Sequence, residues 1–216
     1  MLTLHTYFRS SAAFRVRIAL NLKGLAWTPQ TVWLPDDEHK GDDYRALNPQ
    51  ALVPTLIDAG RHLNQSLAII EYLDETKPGP KLLPGDPAGR ARVRALSQLV
   101  ACEIHPVNNL RVLKYLKNVL GHDQATIDTW YRHWVAEGFA ALERELSGSA
   151  DTGRHCHGDA PTMADCCLVP QVFNARRFEL DLAPYPTLMR VFAENMKLPA
   201  FDSAQPSKQA DAARAA

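Results

Sequence analysis

Hydrophobic positions follow two rhythms in the first third of this chain. Residues 2–7 (LTLHTY) alternate apolar and polar side chains with period two, which predicts a short strand. Residues 12–23 carry apolar groups at helical spacing and stop at Gly24, which predicts a helix with its terminator. A second strand is predicted over 28–34, completing a β-α-β unit, and a short helical pattern follows near Asp42–Leu47. Residues 54–57 and 61–64 flank the turn-forming Asp58-Ala59-Gly60 and read as a hairpin. Ser66 then stands where an N-cap belongs, ahead of a helix over 67–75. This order of elements is that of a thioredoxin-like α/β domain.

The pattern changes after residues 76–89 (TKPGPKLLPGDPAG), where four prolines and three glycines forbid a continuous helix or strand and mark a linker. Beyond it, helical periodicity runs over 90–120, 124–147, 163–178 and 188–197, with no strand alternation. The predicted organisation is therefore a thioredoxin-like domain over 1–80 and an all-α domain over 89–201. Residues 202–216 hold six alanines and few large apolar groups, so this tail is expected to be disordered.

Composition narrows the partners. Twenty-four Lys and Arg balance twenty-four Asp and Glu, so no global field recruits nucleic acid or an anionic membrane, and a charged ligand must be met by a local cluster. No 18 apolar residues run consecutively, and His5, Arg9, Arg15 and Arg17 interrupt any signal-like stretch; a cytoplasmic protein is expected. Four cysteines, two of them neighbours, make no disulfide scaffold and are read as reduced thiols. His155-Cys156-His157 lacks a second ligand pair at fitting spacing, and no metal is expected.

In a thioredoxin-like domain the loop entering the first helix is a reaction centre, because the helix start offers unpaired N–H groups and a positive dipole end. Here that loop is Arg9-Ser10-Ser11-Ala12-Ala13, and the first cysteine is Cys102, which excludes disulfide exchange. As helix caps the two serines need no ligand. Two further features point to one. Leu52-Val53-Pro54 opens the third strand, where a cis bond before Pro54 would present the Val53 backbone to a peptide-like ligand. Gln65-Ser66 begins a helix whose N–H groups and hydroxyl suit a carboxylate.

The segments Tyr7-Phe8-Arg9-Ser10-Ser11, Arg15-Val16-Arg17-Ile18-Ala19-Leu20, Ala46-Leu47-Asn48-Pro49, Val53-Pro54-Thr55-Leu56 and Gln65-Ser66-Leu67-Ala68-Ile69-Ile70-Glu71-Tyr72-Leu73 resemble the zeta class of glutathione transferases. Gly158-Asp159-Ala160-Pro161-Thr162-Met163-Ala164-Asp165 and Asn174-Ala175-Arg176-Arg177-Phe178 in the second domain are similar to the same class. One position departs from it: the class pattern reads Ser-Ser-Cys, and Ala12 stands at the cysteine. The resemblance implies the glutathione transferase fold, glutathione as cofactor, a homodimer, and glutathione-dependent cis–trans isomerisation of a maleyl keto acid. Maleylacetoacetate and maleylpyruvate both fit the substrate description. The alternatives are a transferase for small halogenated acids and a non-catalytic glutathione-fold binding module.

By position, the resemblance gives the thiolate to Ser10, with Ser11 as second donor. Glutathione contacts would come from His39, Val53, Pro54, Gln65, Ser66, His105 and Asn109. Arg9, Arg111 and Arg177 would meet the substrate carboxylates, and Pro106 would kink its helix. Thr162 and Asp165 read instead as a capping box with a folding role.

Overall fold

The computed structural model describes residues 1–215. It divides into two units: Met1–Leu83 together with the residues from Met196 onward, and Pro84–Asn195.

The first unit is built on strands β1 (Leu2–Thr6), β2 (Trp27–Thr31), β3 (Thr55–Asp58) and β4 (Arg61–Asn64), in the order β2-β1-β3-β4. β1 runs parallel to β2 and antiparallel to β3, and β3 is antiparallel to β4. Leu4 lies at the centre of the sheet, opposite both Pro29 and Leu56. β2 is an edge strand, the position where a residue lacking an N–H, such as Pro29, costs no ladder bond. The strand expected over 28–34 ends earlier because the backbone enters a 3-10 turn, Leu34–Asp36, with Pro35 in its first turn. Helices α1 (Ser11–Leu22), α2 (Asp42–Leu47) and α3 (Ser66–Thr76) complete the unit. α1 packs on α3, burying Phe14, Val16, Ile18 and Leu20 of one and Ile69, Ile70 and Leu73 of the other.

The second unit is all helical. The single helix expected over 90–120 is broken into α4 (Pro87–Gln98), a π-helical stretch (Leu99–Ile104), α5 (His105–Val107) and α6 (Leu110–Asn118). Pro106 cannot donate to the carbonyl four residues back, and the wider π turns absorb that defect before the backbone leaves the helix at Asn108. α7 (Gln124–Ser147) is capped by Asp123, which accepts from the Thr126 N–H at 2.8 Å. It approaches the π stretch closely at Gly138, where a Cβ would fall 2.2 Å from Ile104 Cγ1. α8 (Met163–Arg177) runs through Pro170 and is buried over most of its length, and α9 (Pro186–Met196) leads out of the unit.

The tail expected to be disordered is ordered over its described residues. α10 (Pro199–Asp202) buries Phe201, and two 3-10 turns, Pro206–Lys208 and Ala210–Ala215, follow. Apolar burial is slight there, as its composition implied; polar anchors supply the order instead. Arg17 Nε donates to the Ala204 carbonyl at 3.1 Å, the Phe8 N–H donates to Asp211 Oδ2 at 2.9 Å, and Arg214 reaches Asp36 and Glu38 at 3.2 and 3.4 Å. Among the described residues no helix is long and apolar enough to cross a membrane.

Candidate functional site

Ser10 is the N-cap of α1. Its Oγ accepts the Ala13 N–H at 3.2 Å, and its own N–H donates to the Tyr7 carbonyl at 2.9 Å. A hydroxyl that accepts in this way still has a proton to donate, so capping and ligand binding are compatible at this residue. Ser11 is the first helical residue and is buried, whereas Arg9 is exposed, with its guanidinium 5.0 Å from the Phe8 ring centroid. The Val53–Pro54 peptide is cis. Tyr44 and Asn48 both donate to the Leu52 carbonyl at 2.7 Å, which fixes the turn leading into it.

Gln65 precedes α3 with φ of +67°, a left-handed value that is uncommon outside glycine and costs conformational energy. Its amide donates to Gln50 Oε1 at 2.8 Å, tying the α3 entrance to the loop ahead of the cis peptide. Ser66 is buried, and its Oγ accepts from Arg15 Nη1 at 3.1 Å. Sequence reasoning missed Arg15. Its signal was a charged residue inside the apolar run 14–20, which can be buried only where polar partners await it. The guanidinium, 2% exposed, fixes the Ser66 hydroxyl at the positive end of α3.

Arg17, fully buried and two residues further along α1, has a different task. Besides Ala204 it donates to Thr6 Oγ1 at 3.0 Å, to the Tyr7 carbonyl at 3.4 Å and to the Phe8 carbonyl at 3.1 Å. Burial pulls its pKa down to about 9 while the Asp211 charge works the other way, and it stays cationic at neutral pH. His39 is half-buried on the 3-10 turn Glu38–Lys40, with Nε2 4.0 Å from Asp37 Oδ1.

The remaining candidates lie in the second unit. His105 opens α5, and Asn109 caps α6, its Oδ1 accepting the Arg111 N–H at 3.1 Å. Arg111 is exposed at the start of α6. Arg177, exposed at the end of α8, lies 5.0 Å from the Phe178 ring, which stacks on Tyr131 at 3.5 Å. Burial pushes the Tyr131 hydroxyl up to about 12, opposed by the nearby Arg177 charge. Tyr131 was not a candidate from sequence.

Asp165 is fully buried. One carboxylate oxygen accepts the Thr162 N–H at 2.8 Å and its hydroxyl at 2.9 Å; the other accepts the Cys156 N–H at 2.9 Å and Asn195 Nδ2 at 2.8 Å. Thr162 and Asp165 thus fasten the start of α8 to the 150s loop and to α9. His155 Nδ1 lies 2.9 Å from Asn195 Oδ1, and burial raises the Cys156 and Cys166 thiols well above the ordinary range.

Residues 9–76 match the family model for the glutathione S-transferase N-terminal domain, and residues 125–194 that for its C-terminal domain. The protein is 49% identical to the maleylpyruvate isomerase of Ralstonia sp over 210 residues, covering 97% of this sequence and 99% of the relative. It superposes with a TM-score of 0.94 on the holo structure of a maleylpyruvate isomerase described as a bacterial zeta-class glutathione S-transferase, at 49% identity, covering 97% and 99% of the two proteins. Against the maleylacetoacetate isomerase of Anaeromyxobacter dehalogenans, solved with dicarboxyethyl glutathione and citrate in its active site, the TM-score is 0.86 at 46% identity, covering 98% and 97%. With both domains matched and near-complete coverage by relatives of such identity, the protein belongs to the glutathione S-transferase family and to its zeta class.

Proposed function

We propose that this protein is a glutathione-dependent cis–trans isomerase of a maleyl keto acid, maleylacetoacetate or maleylpyruvate, acting in the cytoplasm as a homodimer. The observation that carries the reading is Ser10 at the α1 N-cap, with a free hydroxyl proton at a positive helix end. The relatives' activities and their coverage of almost the whole sequence support it.

The residues present fit glutathione. Ser66, held by Arg15, and the N–H groups opening α3 would take a carboxylate, and the Val53 backbone beside the cis peptide would pair with the peptide portion. Gln65 would add a side-chain contact, and His39, Pro54, His105 and Asn109 are assigned supporting contacts. When bound, glutathione supplies a nucleophilic sulfur that adds reversibly to the maleyl double bond, allowing rotation before release. A free thiol of this kind has a pKa of ~8.5, so the protein must favour the anion. Ser10 does so by donating its hydroxyl proton toward sulfur, Ser11 is the second donor, and the α1 dipole adds to both. Ala12 offers no thiol, so these serines act without one. Arg9, Arg111 and Arg177 would each hold a carboxylate or the charge that develops on the substrate. The ligand of the A. dehalogenans relative is the kind of thioether that thiol addition to an unsaturated diacid leaves.

The test is a spectrophotometric isomerase assay of both keto acids with dialysed protein, with and without glutathione. Turnover only with glutathione is expected; full activity in thiol-free buffer would overturn the reading.

A further inference from the structure

Phe8 stands two residues before Ser10 and is 5% exposed, so both its peptide groups need partners within the protein. Neither partner comes from the sheet or from α1's own ladder. The N–H donates to Asp211 Oδ2 at 2.9 Å, and the carbonyl accepts from Arg17 Nη2 at 3.1 Å. Arg17 is itself anchored on the Ala204 carbonyl, so the segment that follows α10 grips this loop at two points. A third contact lies beside them. Ala212 packs on the cluster of Tyr7, Phe8, Val32, Trp33, Tyr44 and Val53, and the Arg214 guanidinium sits 4.6 Å from the Trp33 ring. That cluster joins the Ser10 loop to Val53, two of the glutathione contacts assigned above.

We infer that Asp211 is a positioning residue for the Ser10-Ser11 loop: through the Phe8 amide, the C-terminal segment sets where the hydroxyl that faces the glutathione sulfur is held. The inference rests on the proposed function for its chemistry but not for its geometry. Without the carboxylate, a buried N–H loses its acceptor and the stretch from Tyr7 to Ser10 can turn to find another. Ser66 and Arg15 stay where they are, because the tail's polar anchors fall on Phe8, Arg17, Asp36 and Glu38, and Val53 meets the tail through the packing of its cluster against Ala212, which the substitution leaves in place. Loss of Asp211 should therefore harm the state of the sulfur far more than the capture of the tripeptide.

The experiment compares Asp211→Ala and Asp211→Asn in the full-length protein, the asparagine keeping an acceptor oxygen for Phe8. Amide hydrogen exchange is read first on the free protein. In Asp211→Ala, exchange in the segment 7–13 should rise about tenfold or more while β3 and α3 stay protected; Asp211→Asn should remain within about twofold of the parent. The thiolate absorbance of bound glutathione is then titrated. The bound thiol pKa should move toward its free value in Asp211→Ala, kcat should fall about tenfold, and KM for glutathione should stay within about twofold. Arg214→Ala, which loosens the tail without touching the loop, should shift exchange the same way but less. Unchanged exchange in Asp211→Ala would overturn the inference, as would exchange rising equally throughout the first unit, which would make Asp211 a general staple. The exchange arm uses no substrate and no glutathione, so it stands or falls separately from the isomerase assay.

Discussion

Replacing Asp165 by alanine removes an acceptor shared by four donors in a fully buried site. The losses are unequal. Asn195 Nδ2 also donates to the Val191 carbonyl at 3.0 Å, so it keeps a partner, and the Thr162 hydroxyl can rotate toward another acceptor. The N–H groups of Thr162 and Cys156 belong to the backbone and cannot turn away. Each orphaned amide costs about 1–3 kcal/mol, so the pair costs about 2–6 kcal/mol, a large share of the ~5–15 kcal/mol that holds an ordinary protein folded. Asp165→Asn keeps one acceptor oxygen and should lose roughly half as much. The assay is urea unfolding at equilibrium, followed through the fluorescence of Trp130 and Trp134 on α7 in the same unit. Glutathione affinity of the folded fraction should not change. An Asp165→Ala protein within ~1 kcal/mol of the parent would refute the claim that these amides have no other partner.

Ser10→Ala should raise the pKa of bound glutathione by about one to two units, the equivalent of ~1.5–3 kcal/mol for a hydrogen bond to a charged group, read from thiolate absorbance; a silent Ser10→Ala with a damaging Ser11→Ala would reverse their roles. Arg111→Met and Arg177→Met should each lower isomerase efficiency roughly ten- to a hundredfold while sparing glutathione binding and conjugation of a neutral aryl halide; parallel loss of all three would make these arginines structural. Lys77 at 2.5 Å and the Tyr72 hydroxyl at 2.8 Å hold the Asp58 carboxyl below its ordinary 3.8. The unfolded protein then binds more protons than the folded one in that window, so this stability is present above the unfolded value and is lost as pH falls through the folded one. Asp58→Asn should flatten that part of the acid unfolding curve, and a curve of unchanged steepness would count against the ion pair.

The elements most visible in the sequence were those whose signals are local. Ser10 precedes an apolar run and caps α1, and the Asp58-Ala59-Gly60 turn joins β3 to β4; Ser66, expected as the cap, is instead the first residue of α3, because Gln65 takes the cap position with its left-handed backbone. What failed to show was decided by distant partners. Periodicity carried one helix across Pro106 because the apolar spacing continues there, and nothing local announces a π stretch that packs against Gly138. Arg15 and Arg17 looked alike as charges in an apolar helix; only the fold gives Ser66 to one and the Phe8 carbonyl to the other. The tail looked disordered because its composition lacks apolar weight, and composition does not record that Asp211 meets an otherwise orphaned amide.

The discontinuity of the first unit orders events during synthesis. A ribosome delivers β1, α1 and the hairpin early, yet the Ala204 carbonyl and Asp211 carboxylate that complete them emerge only after the whole of the helical unit. Until then the nascent polypeptide must keep Arg17 hydrated or bury it short of partners, so the all-helical unit between is free to consolidate first. Translation that stops anywhere before Ala204 yields a product whose amino-terminal portion is unfinished however much of it has been made, and such products become natural substrates for quality-control proteolysis.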